Sequence, residues 1–153
     1  MAFKVFVSYS TKDMEMVKLI EKDMKSTGAS VFVAENSILP GSPLSSTIKE
    51  NIISSDLFIV LWSKNSKESQ WVSQEIGIAH STDKLIIPVV LDENIMLPAF
   101  IKDIKYISTF ENRDKAIEKL RQIVFDHVKK NDNNNILFWG GIIVAMLLLF
   151  NKE

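Results

Sequence analysis

The chain has no cysteine, which excludes disulfides and thiolate-held zinc or iron–sulfur centres and fits a reducing cytosol. Nor does one sign of charge dominate. Its 18 basic and 19 acidic residues leave a formal net charge of -1, too weak a field to recommend nucleic acid as a partner. Only 5 glycines occur, Gly28, Gly41, Gly77, Gly140 and Gly141, and they form neither a dinucleotide-binding nor a phosphate-loop fingerprint. A dehydrogenase or nucleotide triphosphatase is therefore not indicated. The 2 histidines, His80 and His127, stand near no nucleophile signature, so each reads as a surface or helix-end residue rather than part of a hydrolase triad. No metal site is expected. The start, Met1 to Val7, holds one lysine and too short an apolar stretch for a secretory signal, and reads better as a strand.

What is present is apolar residues, 46% of 153, enough for one core of ordinary size. Lys4 to Val7 is a short apolar run bounded by polar residues, the pattern of a buried first strand. From Met14 to Thr27, Met16, Val17, Ile20 and Met24 recur at helical spacing, with Asp13 placed to cap the start and Gly28 to close the end. Ser30 to Val33 repeats the strand signal. Pro40-Gly41-Ser42-Pro43 punctuates a loop, and a second helix runs from about Leu44 to Ser55. Asp56 to Trp62 is apolar at consecutive positions, as a strand covered on both faces requires. A polar loop, Ser63 to Ser69, then leads to a third helix, Gln70 to Ser81, and Leu85 to Leu91 supplies another strand. Pro88 cannot donate to a ladder, so that strand is expected near an edge or with a bulge. A brief strand, Tyr106 to Ser108, precedes a helix from Arg113 to Lys130 with Ile117, Leu120, Val124 and Val128 on one face. Alternating strands and helices specify a parallel sheet with right-handed crossovers. The expected fold is α/β: a flavodoxin-like parallel sheet in the order 2-1-3-4-5, with helices on both faces. Ligands in such sheets bind beyond the carboxyl ends of the strands where the order reverses. That crevice would involve Ser8 to Lys12, the Pro40-Gly41 loop and the start of the third helix.

After residues 1–130 comes a polar spacer, residues 131–135, and then an uncharged run from Ile136 to Phe150. As a helix the run reaches about 22 Å, against a hydrocarbon core of roughly 30 Å. It is apolar all round, and Trp139, Lys129, Lys130 and Lys152 suit an interface, so the expectation is a single-pass C-terminal membrane anchor with a cytoplasmic domain. The other reading is a tail buried in a groove of a neighbouring subunit.

Three stretches carry a family resemblance over Phe3 to about Val128. Val5-Phe6-Val7-Ser8-Tyr9-Ser10, with Asp13 after it, resembles the first box of TIR (Toll/interleukin-1 receptor) domains, and Leu39-Pro40-Gly41 stands where that family has its loop after the second strand. Ser63 to Ile76 is similar to the serine-rich stretch of plant, bacterial and neuronal TIR domains that leads to a tryptophan or cysteine and then to the glutamate that cleaves NAD. The resemblance implies that Glu75 is the catalytic carboxylate. It also implies that Ser8, Tyr9, Ser10, Thr11, Gly41, Ser42 and Trp71 bind substrate, with NAD as substrate rather than cofactor. Spacing independently sets Glu75 four residues after Trp71, on one face of the third helix. A fixed carboxylate beside the ribose stabilises the oxocarbenium charge that develops as nicotinamide leaves.

The plainer readings are a solvated helix charge for Glu75, a core aromatic for Trp71, packing for Tyr9, and a turn into the helix for Ser8 and Ser10. The chain also departs from NAD-cleaving relatives. Ser10 and Thr11 stand where arginines often follow the Ser-Tyr pair, and Ala34 replaces an acidic residue, with Glu35 beside it. A response-regulator receiver would need an acidic pair after the first strand and an aspartate after the third, and this chain has neither. Two functions remain. One is an NAD glycohydrolase or ADP-ribosyl cyclase that acts on homotypic TIR–TIR assembly in defence or immune-type signalling. The other is a non-catalytic membrane-attached adaptor working through the same assembly. Glu75 separates them, because receptor-type adaptors of this family generally lack a glutamate there.

Overall fold

The computed structural model describes residues 2–33 and 45–150, with residues 135–150 by backbone alone. Strands β1 (Lys4–Ser8), β2 (Ser30–Val33), β3 (Leu57–Trp62), β4 (Leu85–Val90) and β5 (Ile107–Ser108) alternate with helices α1 (Met14–Ser26), α2 (Ser46–Ser54), α3 (Lys64–Lys67), α4 (Gln70–Ser81) and α5 (Arg113–Phe150). The strands form one parallel sheet in the order β2-β1-β3-β4-β5, as the alternation predicts. α1 packs against α5 and α2 against α4, which gives the sheet a helical layer on each face.

Every residue of β3 is buried, the result expected of an uninterrupted apolar run at the centre of a doubly covered sheet. In register, Phe6 of β1 lies between Phe32 of β2 and Phe58 of β3. The three rings stack across the strands with centroids 5.3 and 5.4 Å apart. Each such pair is worth about 0.5–1.5 kcal/mol beyond the area it buries. On the helices, α1 turns Val17, Ile20 and Met24 inward, and α5 buries Ala116, Ile117, Leu120, Val124 and Val128.

Gly28 ends α1 in the left-handed region, φ 90°, with its N–H donating to Lys25 O at 3.1 Å. A Cβ there would meet Val128 Cγ1 at 3.6 Å, an ordinary contact, so the obstacle to substitution is conformational. Gly28→Ala is expected to cost about 1–2 kcal/mol, seen as a lower urea midpoint at unchanged slope. A wild-type midpoint would show that the turn adapts without strain.

Pro88 lies on a strand one place from the edge, opposite Val60 and without a bulge. Leu91 N–H donates to Trp62 O, so by alternation Ile87 and Val89 face β3 while Pro88 faces the β5 side. β5 pairs with Val89 and Val90, so the donor that proline lacks falls outside that pairing.

Three expectations change. Residues 63–69 are not a plain loop, for they contain the one-turn α3. The last helix does not stop at Lys130 but runs without a break to Phe150, because the Asn-rich stretch is only mildly unfavourable to helix. The expected membrane anchor, and with it the membrane localisation, is corrected: among the described residues no helix is long and apolar enough to cross a membrane. Ile136 to Phe150 is shorter than a bilayer core and continues a polar helix rather than standing as an apolar span.

Candidate active site

The strand order reverses between β1 and β3, so the crevice predicted for ligands lies beyond the ends of those strands. Ser8 ends β1, in register with Val60 of β3. Across from it α4 begins, capped by Ser69, whose hydroxyl accepts from Val72 N–H at 3.3 Å. Val72, Ile76 and Ala79 seat this helix in the core, and Glu75 lies among them on the buried side.

Glu75 has 0% of its surface exposed. Neither carboxylate oxygen has a hydrogen-bond partner among the described residues, and the buried Ser8 hydroxyl has none either. A bare carboxylate in such a place costs several kcal/mol if it is ionised, and the group responds by holding its proton. Burial pushes Glu75 from the usual 4.5 up to about 7, and the nearby Ser8 hydroxyl pulls it partly back although it does not complete a hydrogen bond. The plain reading of Glu75 as a solvated helix charge does not hold.

The other residues named from the sequence fall in different settings. Trp71 is half-buried and packs against the core, on the same face of α4 as Glu75. Tyr9 is fully buried. Ser10 is buried and turns its hydroxyl towards Lys12 N–H at 3.3 Å. Thr11 is exposed at the start of a 3-10 turn. Gly41 and Ser42, like Ala34, Glu35 and the prolines at 40 and 43, lie outside the described residues. The structure thus brings Ser8 to Glu75 and leaves Thr11 on the surface.

Asp13 was expected to cap α1. It occupies that position but makes no side-chain cap bond, because its carboxylate crosses to the segment after β3. Oδ2 accepts from Ser63 Oγ at 2.6 Å and Oδ1 from Asn65 Nδ2 at 2.9 Å. Ser63 and Ser66 close a reciprocal capping box around α3, and Asp92 accepts from Lys64 N–H at 2.7 Å. The serine spacing 63 to 66 is a faint cap signal in the sequence. The partners at 13 and 92 are set by tertiary structure and have no local signature. Among the described residues no group of acidic or histidine side chains could hold a metal ion.

Chains of solved structure share this fold. The TIR domains of the activated Roq1 resistosome match with TM-score 0.64 at 15% identity, over 80% of this chain and 99% of that one. The TIR domain of the Toll-related receptor TRR-2 from Hydra magnipapillata matches with TM-score 0.61 at 23% identity, over 78% and 96%. The CMP N-glycosidase BcmB of Clostridium botulinum matches with TM-score 0.59 at 20% identity, over 78% and 98%. At these identities the likeness is one of fold. No curated protein matches the chain. The sequence profile of the TIR domain matches residues 5–124, and with that match, on this sheet order, the chain belongs to the TIR domain family.

Proposed function

We propose that the protein cleaves the nicotinamide–ribose bond of NAD, as a glycohydrolase or ADP-ribosyl cyclase that works on self-association, with Glu75 as its catalytic carboxylate. The observation that supports this reading is the sealed, unpartnered Glu75 carboxylate beside an equally unpartnered Ser8 hydroxyl. Buried polar atoms are almost always satisfied, and three that are not, at the crevice of a parallel sheet, are what a site awaiting a polar ligand looks like. A purely structural role for Glu75 supplies no compensation for its desolvation.

In the reaction the bond between ribose C1′ and the nicotinamide nitrogen breaks, and both its electrons leave with the ring, which becomes neutral. Positive charge develops on the ribose, and the Glu75 carboxylate stabilises it. A water oxygen then bonds to C1′ and gives up its proton to solvent, or a nucleophilic atom of the same nucleotide closes a ring. The low-polarity surroundings that raise the Glu75 pKa also strengthen its attraction for the developing cation. Trp71, on the same helix face, offers a ring for stacking. The carboxylate has no exposed surface in the single chain, so contact with substrate calls for its cover to shift. Assembly of several chains is a natural source of that shift, and the fold is found in a resistosome. Cleavage of an N-glycosidic bond is also the stated activity of the Clostridium botulinum neighbour.

The test is chromatography of products after incubation with NAD at rising protein concentration. Free nicotinamide is expected, with turnover per chain increasing as chains associate. Because the ionised carboxylate is the active form, kcat/KM is expected to rise with pH through about 7 and to fall about tenfold per pH unit below it. No nicotinamide at any concentration, with associated chains demonstrated, would leave the adaptor reading.

A further inference from the structure

Asp13 is the one acidic side chain of the β1 loop, and the structure spends it entirely on the other side of the crevice. Its two oxygens take the Ser63 hydroxyl and the Asn65 amide, which belong to the segment leaving β3. From there a run of short bonds leads to α4. Ser63 Oγ accepts from Ser66 N–H at 3.0 Å, and Ser66 Oγ accepts from Ser63 N–H at 2.6 Å. Ser66 O accepts from Ser69 N–H at 3.0 Å, and Ser69 Oγ caps the helix that carries Glu75. At the near end, Asp13 N–H donates to Ser10 O at 2.9 Å, two residues beyond Ser8. The two groups left unpartnered, Ser8 and Glu75, therefore sit on segments that the Asp13 carboxylate bridges in addition to the pairing of β1 with β3.

We infer that Asp13 is a positioning residue, which sets the gap between the Ser8 hydroxyl and the Glu75 carboxylate by tying the start of α1 to Ser63 and Asn65. The inference rests on the proposed function for its effect on rate, and on geometry alone for its effect on α4. A carboxylate is needed because two donors must be accepted at once by two oxygens. Asparagine keeps the shape and one acceptor, so it would hold half of the bridge.

Asp13→Ala and Asp13→Asn decide it, each first checked for a wild-type near-ultraviolet dichroism spectrum. In the nicotinamide-release assay Asp13→Ala is expected to lower kcat by about tenfold to a hundredfold with KM within about threefold, as displacement of a reacting group does. Asp13→Asn is expected to recover part of the loss. A second measurement needs no activity. Amide hydrogen exchange in the first turn of α4, from Val72 to Glu75, is expected to quicken about tenfold in Asp13→Ala, while the centre of α1 stays at the wild-type rate. Should wild-type protein release no nicotinamide, the functional reading fails and exchange alone decides the positioning. Wild-type kcat together with unchanged exchange in α4 overturns it, and so does faster exchange spread evenly over the whole chain.

Discussion

Glu75→Gln is expected to abolish nicotinamide release, lowering kcat by about a hundredfold to a thousandfold, while the fold survives. The substitution keeps the shape of the side chain and removes only its ability to carry negative charge, so a lost rate reports electrostatics rather than packing. The structure makes the structural cost small. The carboxylate is wholly buried and without a hydrogen-bond partner among the described residues, so the amide breaks no existing bond. Equal turnover in the variant would move the chemistry to some other group.

The second large effect is on stability, and the contribution of Glu75 runs opposite to that of an ordinary paired carboxylate. Glu75 titrates near 4.5 when exposed and at about 7 in the folded chain, so between those values the folded state holds more protons on this residue than the unfolded state does. Its contribution is fully present below pH 4.5 and is lost as pH rises through 7, a difference of about 3 kcal/mol. Set against a typical domain stability of roughly 5–15 kcal/mol, this is easily measured. Urea denaturation from pH 4 to 8 is expected to show wild-type protein losing stability relative to Glu75→Gln across that interval. Parallel curves for the two proteins would mean that the carboxylate is solvated in solution.

How much of this was readable beforehand depended on how local each cause is. The consecutive apolar residues within Asp56 to Trp62 mark the central strand, found at Leu57–Trp62, and the helix expected after the polar stretch, Gln70 to Ser81, has the bounds found. The parallel sheet followed from alternation, and its order is the flavodoxin-like one expected. Even Pro88 was informative, since a missing donor constrains the neighbourhood of a strand. What escaped was long-range or quantitative. Asp13 stands at a helix start and looks like a cap, but its partners are 50 and 52 residues away along the chain, and nothing near Asp13 announces them. The position of Glu75 is legible from its spacing to Trp71 together with the family resemblance. Its complete burial is not, because a lone acid in a helix is ordinarily solvated. The tail misled because an uncharged run invites a membrane reading whether or not it is long enough.

The sheet closes on one side with β5, a strand of two residues, beside a proline whose ring occupies the place of an outward donor. The backbone there offers scarcely any template on which a foreign strand could continue the ladder. Runaway stacking into cross-β fibrils from that flank is correspondingly disfavoured. One margin of the sheet is thus closed to the least selective form of clustering, and any contact made along it falls to side chains.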